Sequence, residues 1–231
     1  MRHQSDFVSA VSHEIRTPLT SIRQLGEMLA EGRSATVGKL SIHHAALVRQ
    51  TRRLERTVER LLQFGQLEAG VPIARLEVVD IASLLREIVD EFSVDPAARD
   101  HVCELDITDT NLRVMGDPST LEHAVWNVLD NAAKYSTPNH PIRVEVGSRN
   151  KLVTVTVTDQ GIGIEHRDQR RVFARFVRGR EARQSGIEGN GIGLTLVRHI
   201  VAAHHGSARI VSAGRGRGTT VILSFPSAEV R

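Results

Sequence analysis

Leucine recurs every seven residues at Leu40, Leu47, Leu54 and Leu61, with Val58 and Leu62 widening the stripe. An earlier seam, spaced alternately three and four apart, runs through Val8, Val11, Ile15, Pro18, Ile22, Leu25 and Leu29. A strand alternates with a period of two and cannot keep such a seam on one face, whereas a helix can. The spacing predicts two long helices, interrupted at Gly32, Arg33, Ser34 and Ala35 and folded back as an antiparallel hairpin. One hairpin cannot cover both of its apolar flanks, so the expectation is a homodimer in which two hairpins form a four-helix bundle.

The pattern changes at "EAGVP", Glu68 to Pro72, which sets the expected domains at 1–70 and 71–231. Beyond it, "DIASLLREIVDEF" offers Asp80 as an N-cap with apolar residues at helical spacing, and "VCELDI" and "NLRVMG" read as short strands. Asp117 and Pro118 open a second helix, "DPSTLEHAVWNVLDNAAKYS". "IRVEVG" and "KLVTVTVTD" alternate as a hairpin does, as do "ARIVSA" and "TTVILSFP" around "GRGRG". Between His166 and Glu188 periodicity is lost, and a segment that long in a compact domain is expected to be a lid or a disordered stretch. "NGIGLTLVRHIVAAHHG" then resumes as a helix. The expected fold class is multidomain, a helical hairpin followed by an α/β sandwich.

Composition excludes several roles. No apolar run approaches the roughly 18 residues of a membrane span, and the N-terminus has neither a basic region nor an apolar one, so a cytoplasmic location is expected. One cysteine, Cys103, cannot form an internal disulfide. The net charge of +3 comes mostly from arginines mixed with acids, and aromatic residues make up only 3% of the chain, which argues against nucleic acid as a partner.

Asn127 and Asn131 stand four apart on one helix, and Lys134 extends that face. Two amides and an ammonium in line suit Mg²⁺ and phosphate, because Mg²⁺ keeps several waters and shares its remaining positions with substrate oxygens. Asparagines so placed are, taken alone, more often solvated surface or a cap. In "DQGIGI", Asp159 ends an alternating strand and can accept from an exocyclic amine, while Gly161 and Gly163 permit close backbone approach; the bland reading is a turn. "GNGIGL" places Gly189, Gly191 and Gly193 before a helix, where free N–H groups favour phosphate. Its spacing fits neither the dinucleotide fingerprint nor a P-loop.

In order and spacing these segments resemble the catalytic core of two-component sensor histidine kinases, whose ATP-binding fold is shared with type II topoisomerase subunits and a class of heat-shock chaperones. "SHEIRTPLTSI" resembles the phosphoacceptor box, "NVLDNAAKYS" the asparagine box and "DQGIGI" the first glycine box. "VFARFVRG" is similar to the phenylalanine box, "GNGIGLTLV" to the second glycine box and "GRGTTVILSFP" to the terminal glycine-threonine segment. The resemblance implies ATP and Mg²⁺ as cofactors. It makes Asn127 and Asn131 contacts to metal and phosphate, Lys134 a phosphate contact and Tyr135 a wall beside the base. Asp159 would read the adenine amino group. Gly161, Gly163, Gly189, Gly191, Gly193 and Leu194 would shape the pocket, with Thr219 on its floor, and Phe173 and Phe176 would anchor the lid. Which asparagine meets the metal first stays open.

Counting Val8 as heptad position a puts His13 at f, facing away from the seam, where an imidazole can meet both ATP and a docking partner. Glu14 beside it can orient the ring or accept its proton as nitrogen attacks the γ-phosphate. In relatives with this H-E-x-x-T pattern the threonine, here Thr17, is implied in dephosphorylating the partner. Pro18 removes a helical hydrogen bond and lets that turn bend. Because no histidine follows four residues after His13, the segment is not a zinc protease motif. Thr20, Arg23, Gln24 and Glu27 continue the His13 face and are expected to select the partner. The reading is a protein-histidine kinase that labels His13, passes phosphate to an aspartate of a response regulator receiver domain and has phosphatase activity toward it. Its rivals are a non-catalytic ATP-sensing scaffold and an ATP-driven clamp. Only twelve residues precede His13, so an excised core is expected, reaching a membrane only through a sensor segment absent from this chain.

Overall fold

The computed structural model describes residues 2–31, 37–68, 76–174, 177, 182, 187 and 191–228. They fall into two compact units, Met1–Glu68 and Ala69–Arg231.

The first unit is two helices packed along each other, α1 (Arg2–Ala30) and α2 (Val37–Glu68). The helix α1 runs through the buried Pro18, whose missing N–H leaves the carbonyl of residue 14 without its helical donor. Ile15, Ile22, Leu25 and Leu29 are partly buried on α1, as are Leu47 and Leu54 on α2. Leu19, Leu40, Val58 and Leu62 remain exposed, so the single hairpin leaves apolar surface in water.

The second unit comprises β1 (Glu77–Asp80), α3 (Ile81–Ser93), a 3-10 turn at Pro96–Ala98, β2 (Cys103–Ile107) and β3 (Arg113–Gly116). It continues with α4 (Pro118–Tyr135), β4 (Ile142–Arg149), β5 (Leu152–Asp159) and α5 (His166–Gln169), then α6 (Gly193–Ala203), β6 (Ser207–Val211) and β7 (Thr219–Pro226). Two helices begin on aspartate caps. The Asp80 carboxylate accepts from the N–H groups of Ala82 and Ser83, and Asp117 accepts from Thr120 with Pro118 beside it. Each such cap contributes about 1 kcal/mol.

Five strands form one sheet in the order β2-β4-β5-β7-β6, with β2 parallel to β4 and every other pair antiparallel. Alternation decides which side is covered. Ile142, Val144 and Val146, then Val153, Val155 and Val157, then Val221, Leu223 and Phe225 are buried in one core with apolar residues of α3 and α4. Thr154, Thr156, Thr158 and Thr220 occupy the other face, where Thr158 and Thr220 hydroxyls meet at 3.1 Å. Fully burying a Val, Leu or Phe side chain is worth about 1.5–3 kcal/mol, so this α/β sandwich has the material for a core of its own. Phe92 of α3 packs edge-on to Trp126 of α4 with centroids 5.3 Å apart.

Two details depart from the sequence reading. "EVVD" before the first capped helix forms β1, which pairs with β3 in a separate two-stranded sheet; with a single buried position, Val79, it carries almost no alternation signal. The stretch after Ile164 also begins in ordered form: α5 is held by the Gln169 amide donating to the carbonyls of Ile164 and Ser212, and Val172 and Phe173 are buried behind it. Phe176 and Gly189 lie outside the described residues, with most of the expected lid.

Candidate functional site

The helix α4 is buried on two sides. Leu121, Val125, Val128 and Ala132 belong to the sheet core, while Ala124 packs with Leu196 and Ile200 of α6. Between these flanks Asn127 is only 4% exposed, which removes the solvated-surface reading for it. Its Nδ2 donates to the His123 carbonyl at 2.7 Å, leaving Oδ1 free to turn toward α6. A methyl group on Gly193 would stand 3.2 Å from Asn127 Oδ1 and 3.7 Å from Asn131 Nδ2. The glycine at the start of α6 thus lets the helix terminus approach both amides. Lys134 lies in the last turn of α4, its Nζ 5.8 Å from the centre of the Tyr135 ring.

The far wall is built at the end of β5. Asp159 is buried, and its Oδ1 accepts from the N–H groups of Gly161 at 2.9 Å and Thr219 at 3.1 Å. Burial pushes its carboxyl up to about 6 in spite of those two bonds. Thr219 is the register partner of Asp159 in the β5–β7 pairing, which sets its N–H beside that carboxylate. Gly161 has no room for a side chain, because a Cβ would collide with the Tyr135 carbonyl oxygen. At Gly163 the backbone is left-handed, with φ of 69°, and a Cβ would collide with the Gly214 carbonyl. Ile162 N–H donates to the Tyr135 carbonyl, tying the end of α4 to this loop. Asn127, Asn131 and Gly193 therefore converge at one place, and Tyr135, Asp159, Gly161 and Thr219 at another, the two linked by α4. Gly191 and Leu194 flank the start of α6.

His13, Glu14 and Thr17 lie on the backbone of α1, His13 and Thr17 one turn apart; their side chains are outside the described residues.

Three residues that no motif singled out also frame the site. Ser136 Oγ is a buried hydroxyl with no hydrogen-bond partner, on a residue whose backbone is bridged to Gly161. Ser212 Oγ donates to the Gly218 carbonyl at 2.6 Å and accepts from Ile164 N–H at 3.0 Å, joining the two glycine-rich loops. His204 is 2% exposed and bonds to the N–H of Asp117, at the head of α4. In "AAHHG" nothing local separates His204 from His205; only the packing puts the first inside, while the second takes a left-handed turn with φ of 56°.

Comparison with known proteins covers both units. Residues 3–70 match the family model of the His Kinase A (phospho-acceptor) domain, and residues 116–229 match that of the histidine kinase-, DNA gyrase B- and HSP90-like ATPases. The chain is 34% identical over 223 residues to the sensor-like histidine kinase SenX3 of Mycolicibacterium smegmatis, an alignment covering 96% of this chain and 57% of that protein. It is 33% identical over 233 residues to the sensor histidine kinase WalK of Bacillus subtilis, covering 99% of this chain and 37% of WalK. Among solved structures, the mycobacterial sensor histidine kinase MprB superposes with a TM-score of 0.58 at 30% identity, covering 68% of this chain and all of that one. ShkA in complex with AMPPNP shares the fold, with a TM-score of 0.65 at 24% identity over 96% of this chain and 46% of its own. The chain thus spans little more than half the length of SenX3 and less of WalK.

Proposed function

Since the chain belongs to the sensor histidine kinases and carries their ATP-binding domain, we propose that it phosphorylates itself on His13 and passes the phosphoryl group to an aspartate of a response regulator. The observation that carries this is the convergence of Gly193 with Asn127 and Asn131 at one end of the α/β unit's site and of Asp159 with Thr219 at the other. That is a phosphate end and a base end joined by one helix. Asp159 is an acceptor for an adenine amine, and the Gly191–Gly193 terminus with Lys134 supplies positive potential to a triphosphate. No cluster of three or more His, Cys, Asp or Glu side chains that could hold a metal occurs among the described residues. The donor set nevertheless fits Mg²⁺ brought by the nucleotide, because Asn127 and Asn131 offer neutral oxygens and phosphate supplies the rest. When bound, Mg²⁺ would neutralise charge developing on the phosphate oxygens.

In the transfer, an imidazole nitrogen of His13 forms a bond to the γ-phosphorus as the bond to the bridging oxygen breaks and ADP leaves. Glu14 takes the ring proton, and Thr17 serves the reverse role of placing water for dephosphorylation of the regulator. We assign residues 1–70 to dimerisation and phosphotransfer and 71–231 to ATP binding. The homodimer is supported by the uncovered side chains of Leu19, Leu40, Val58 and Leu62. Thr20, Arg23, Gln24 and Glu27 are all exposed along α1, with Arg23 and Glu27 paired at 3.7 Å, and offer a polar surface for the receiver domain. No helix among the described residues is long and apolar enough to cross a membrane.

The test is labelling with γ-labelled ATP. Wild type should carry acid-labile, base-stable phosphate. His13→Gln should carry none while it still binds ATP and dimerises, its stability moved by no more than about 0.5 kcal/mol. A labelled mutant, or an adduct stable to acid, would falsify the reading.

A further inference from the structure

His204 sits at the C-terminal end of α6, buried, with both ring nitrogens engaged. The backbone N–H of Asp117 donates to Nε2 at 3.0 Å, and Nδ1 lies 2.7 Å from the Ile200 carbonyl oxygen. Since Nε2 accepts, the proton is on Nδ1, and only the neutral ring with that tautomer makes both bonds at once. The ring also stands edge-on to Phe225 of β7, with centroids 6.3 Å apart. Gly116 is shaped to it, since a Cβ there would fall 2.9 Å from His204 Cδ2. Asp117 has its own carboxylate committed to the first turn of α4. Burial pulls that carboxyl upward, and hydrogen bonds from Ser119 and Thr120 outweigh it, holding it below its usual value.

His204 thus grips the N-terminal end of α4 from the C-terminal end of α6. At the opposite end of α6, Gly193 meets Asn127 and Asn131, so the two helices run antiparallel and are fixed at both ends. Between those ends, Val197 and Val201 of α6 share the main core with Leu121, Val125 and Val128 of α4, and Ala124 packs beside it with Leu196 and Ile200. Displacements of about 1 Å at a reacting or binding group can cost on the order of 100-fold in rate.

We propose that His204 is a positioning residue for the nucleotide site: by clamping α6 to the head of α4 it sets the register at which the Gly193 terminus faces Asn127 and Asn131. The proposal rests on the reading of that place as the phosphate end of an ATP site. It separates the two ends of the ligand, because the base end, Asp159 with Thr219, is built on β5 and β7 and is tied to neither bond of the clamp.

Two substitutions divide the ring's functions. In His204→Gln the longer amide reaches where Nε2 lies and can accept from Asp117 N–H. In His204→Asn the shorter one retains a donor near Nδ1 for Ile200 but cannot reach Asp117. Affinities of the whole chain for the Mg²⁺ complex of AMPPNP and for adenosine, which has no phosphates, would be measured together with Tm. His204→Asn should bind Mg-AMPPNP about ten-fold more weakly, the effect of one lost hydrogen bond, and adenosine within about two-fold of wild type; His204→Gln should restore the first. Equal loss for both ligands, or no difference between the two variants, would overturn the clamp as a register device. If His204→Asn does not fold, nitrogen chemical shifts of the wild-type ring decide. An Nδ1–H tautomer and an Asp117 amide that responds to Mg-AMPPNP but not to adenosine support the proposal; an Nε2–H tautomer ends it. Should wild type bind neither ligand, the nucleotide-site reading itself fails.

Discussion

In the hairpin, Leu40 and Leu62 are 50% and 62% exposed, whereas in the α/β unit Leu85, Phe92, Leu129 and Leu223 are shielded completely. The difference follows from geometry. A pair of helices has two apolar flanks and can turn only one of them inward, while a sheet with helices on one side closes its core without help. The first unit therefore leaves apolar side chains uncovered on both of its helices. The second closes its own core, and the proposed nucleotide site stands on that packed interior at the end of β5 and the start of α6. On the proposed function, one unit presents the residue to be modified and the other holds the reagent.

That division predicts separable failures, and the largest is expected in the α/β unit. Asn131→Ala removes an amide beside Gly193 and should lower autophosphorylation about 1,000-fold through lost binding and orientation of Mg-ATP. The dimer, measured by sedimentation, should be unchanged. Full activity at saturating Mg-ATP would remove Asn131 from the site. A loss of dimerisation instead would mean that the two units are not independent in this sense.

The reciprocal experiment strikes the hairpin. Leu62→Glu places a carboxylate on an exposed apolar flank where each copy would face its equivalent. A charge buried without a counter-ion costs on the order of 3 kcal/mol, so dimerisation should weaken about 100-fold while nucleotide affinity stays as in wild type. A variant that remains dimeric at low micromolar concentration would place the seam elsewhere on the helices.

The two units also differ in how far the sequence discloses them. Heptad spacing fixes the hairpin because a helix repeats its environment every turn, and Leu47 and Leu54 need no knowledge of anything distant. The strands β4, β5 and β7 were equally legible, since Val153, Val155 and Val157 alternate with threonines. Legibility ended where meaning depends on a residue far along the chain. His204 acquires its role from Asp117, 87 residues away, and Ser212 from Ile164, 48 residues away. Neither has a local pattern. The motif glycines were visible as a group, but the structure alone says what each avoids: Gly161 the Tyr135 carbonyl, Gly163 that of Gly214. Strand β1 escaped because four residues with one buried side chain carry too little periodicity to read.

The smallest effect on binding is a pH dependence that originates at the buried Asp159. In the folded chain burial pushes Asp159 up to about 6, from an ordinary value of 3.8. The folded state then holds a proton more tightly than the unfolded chain between those limits. The stability this contributes is fully present below about pH 4 and is lost as pH rises through 6. It amounts to about 3 kcal/mol, because each tenfold gain in proton affinity on folding is worth about 1.36 kcal/mol. If Asp159 reads the adenine amine as proposed, nucleotide binding has the opposite sign, because the ionised carboxylate is the better acceptor. Affinity for ATP should fall by up to about ten-fold per pH unit below 6, even as the empty domain grows more stable. Other groups titrate in this range, so the comparison is with Asp159→Asn, which stays neutral and keeps an oxygen for the Gly161 and Thr219 N–H groups. That variant should melt higher than wild type at pH 8, match it near pH 4 and lose the pH-dependent part of nucleotide affinity. If the two melt alike at pH 8, ionised Asp159 carries no burial cost.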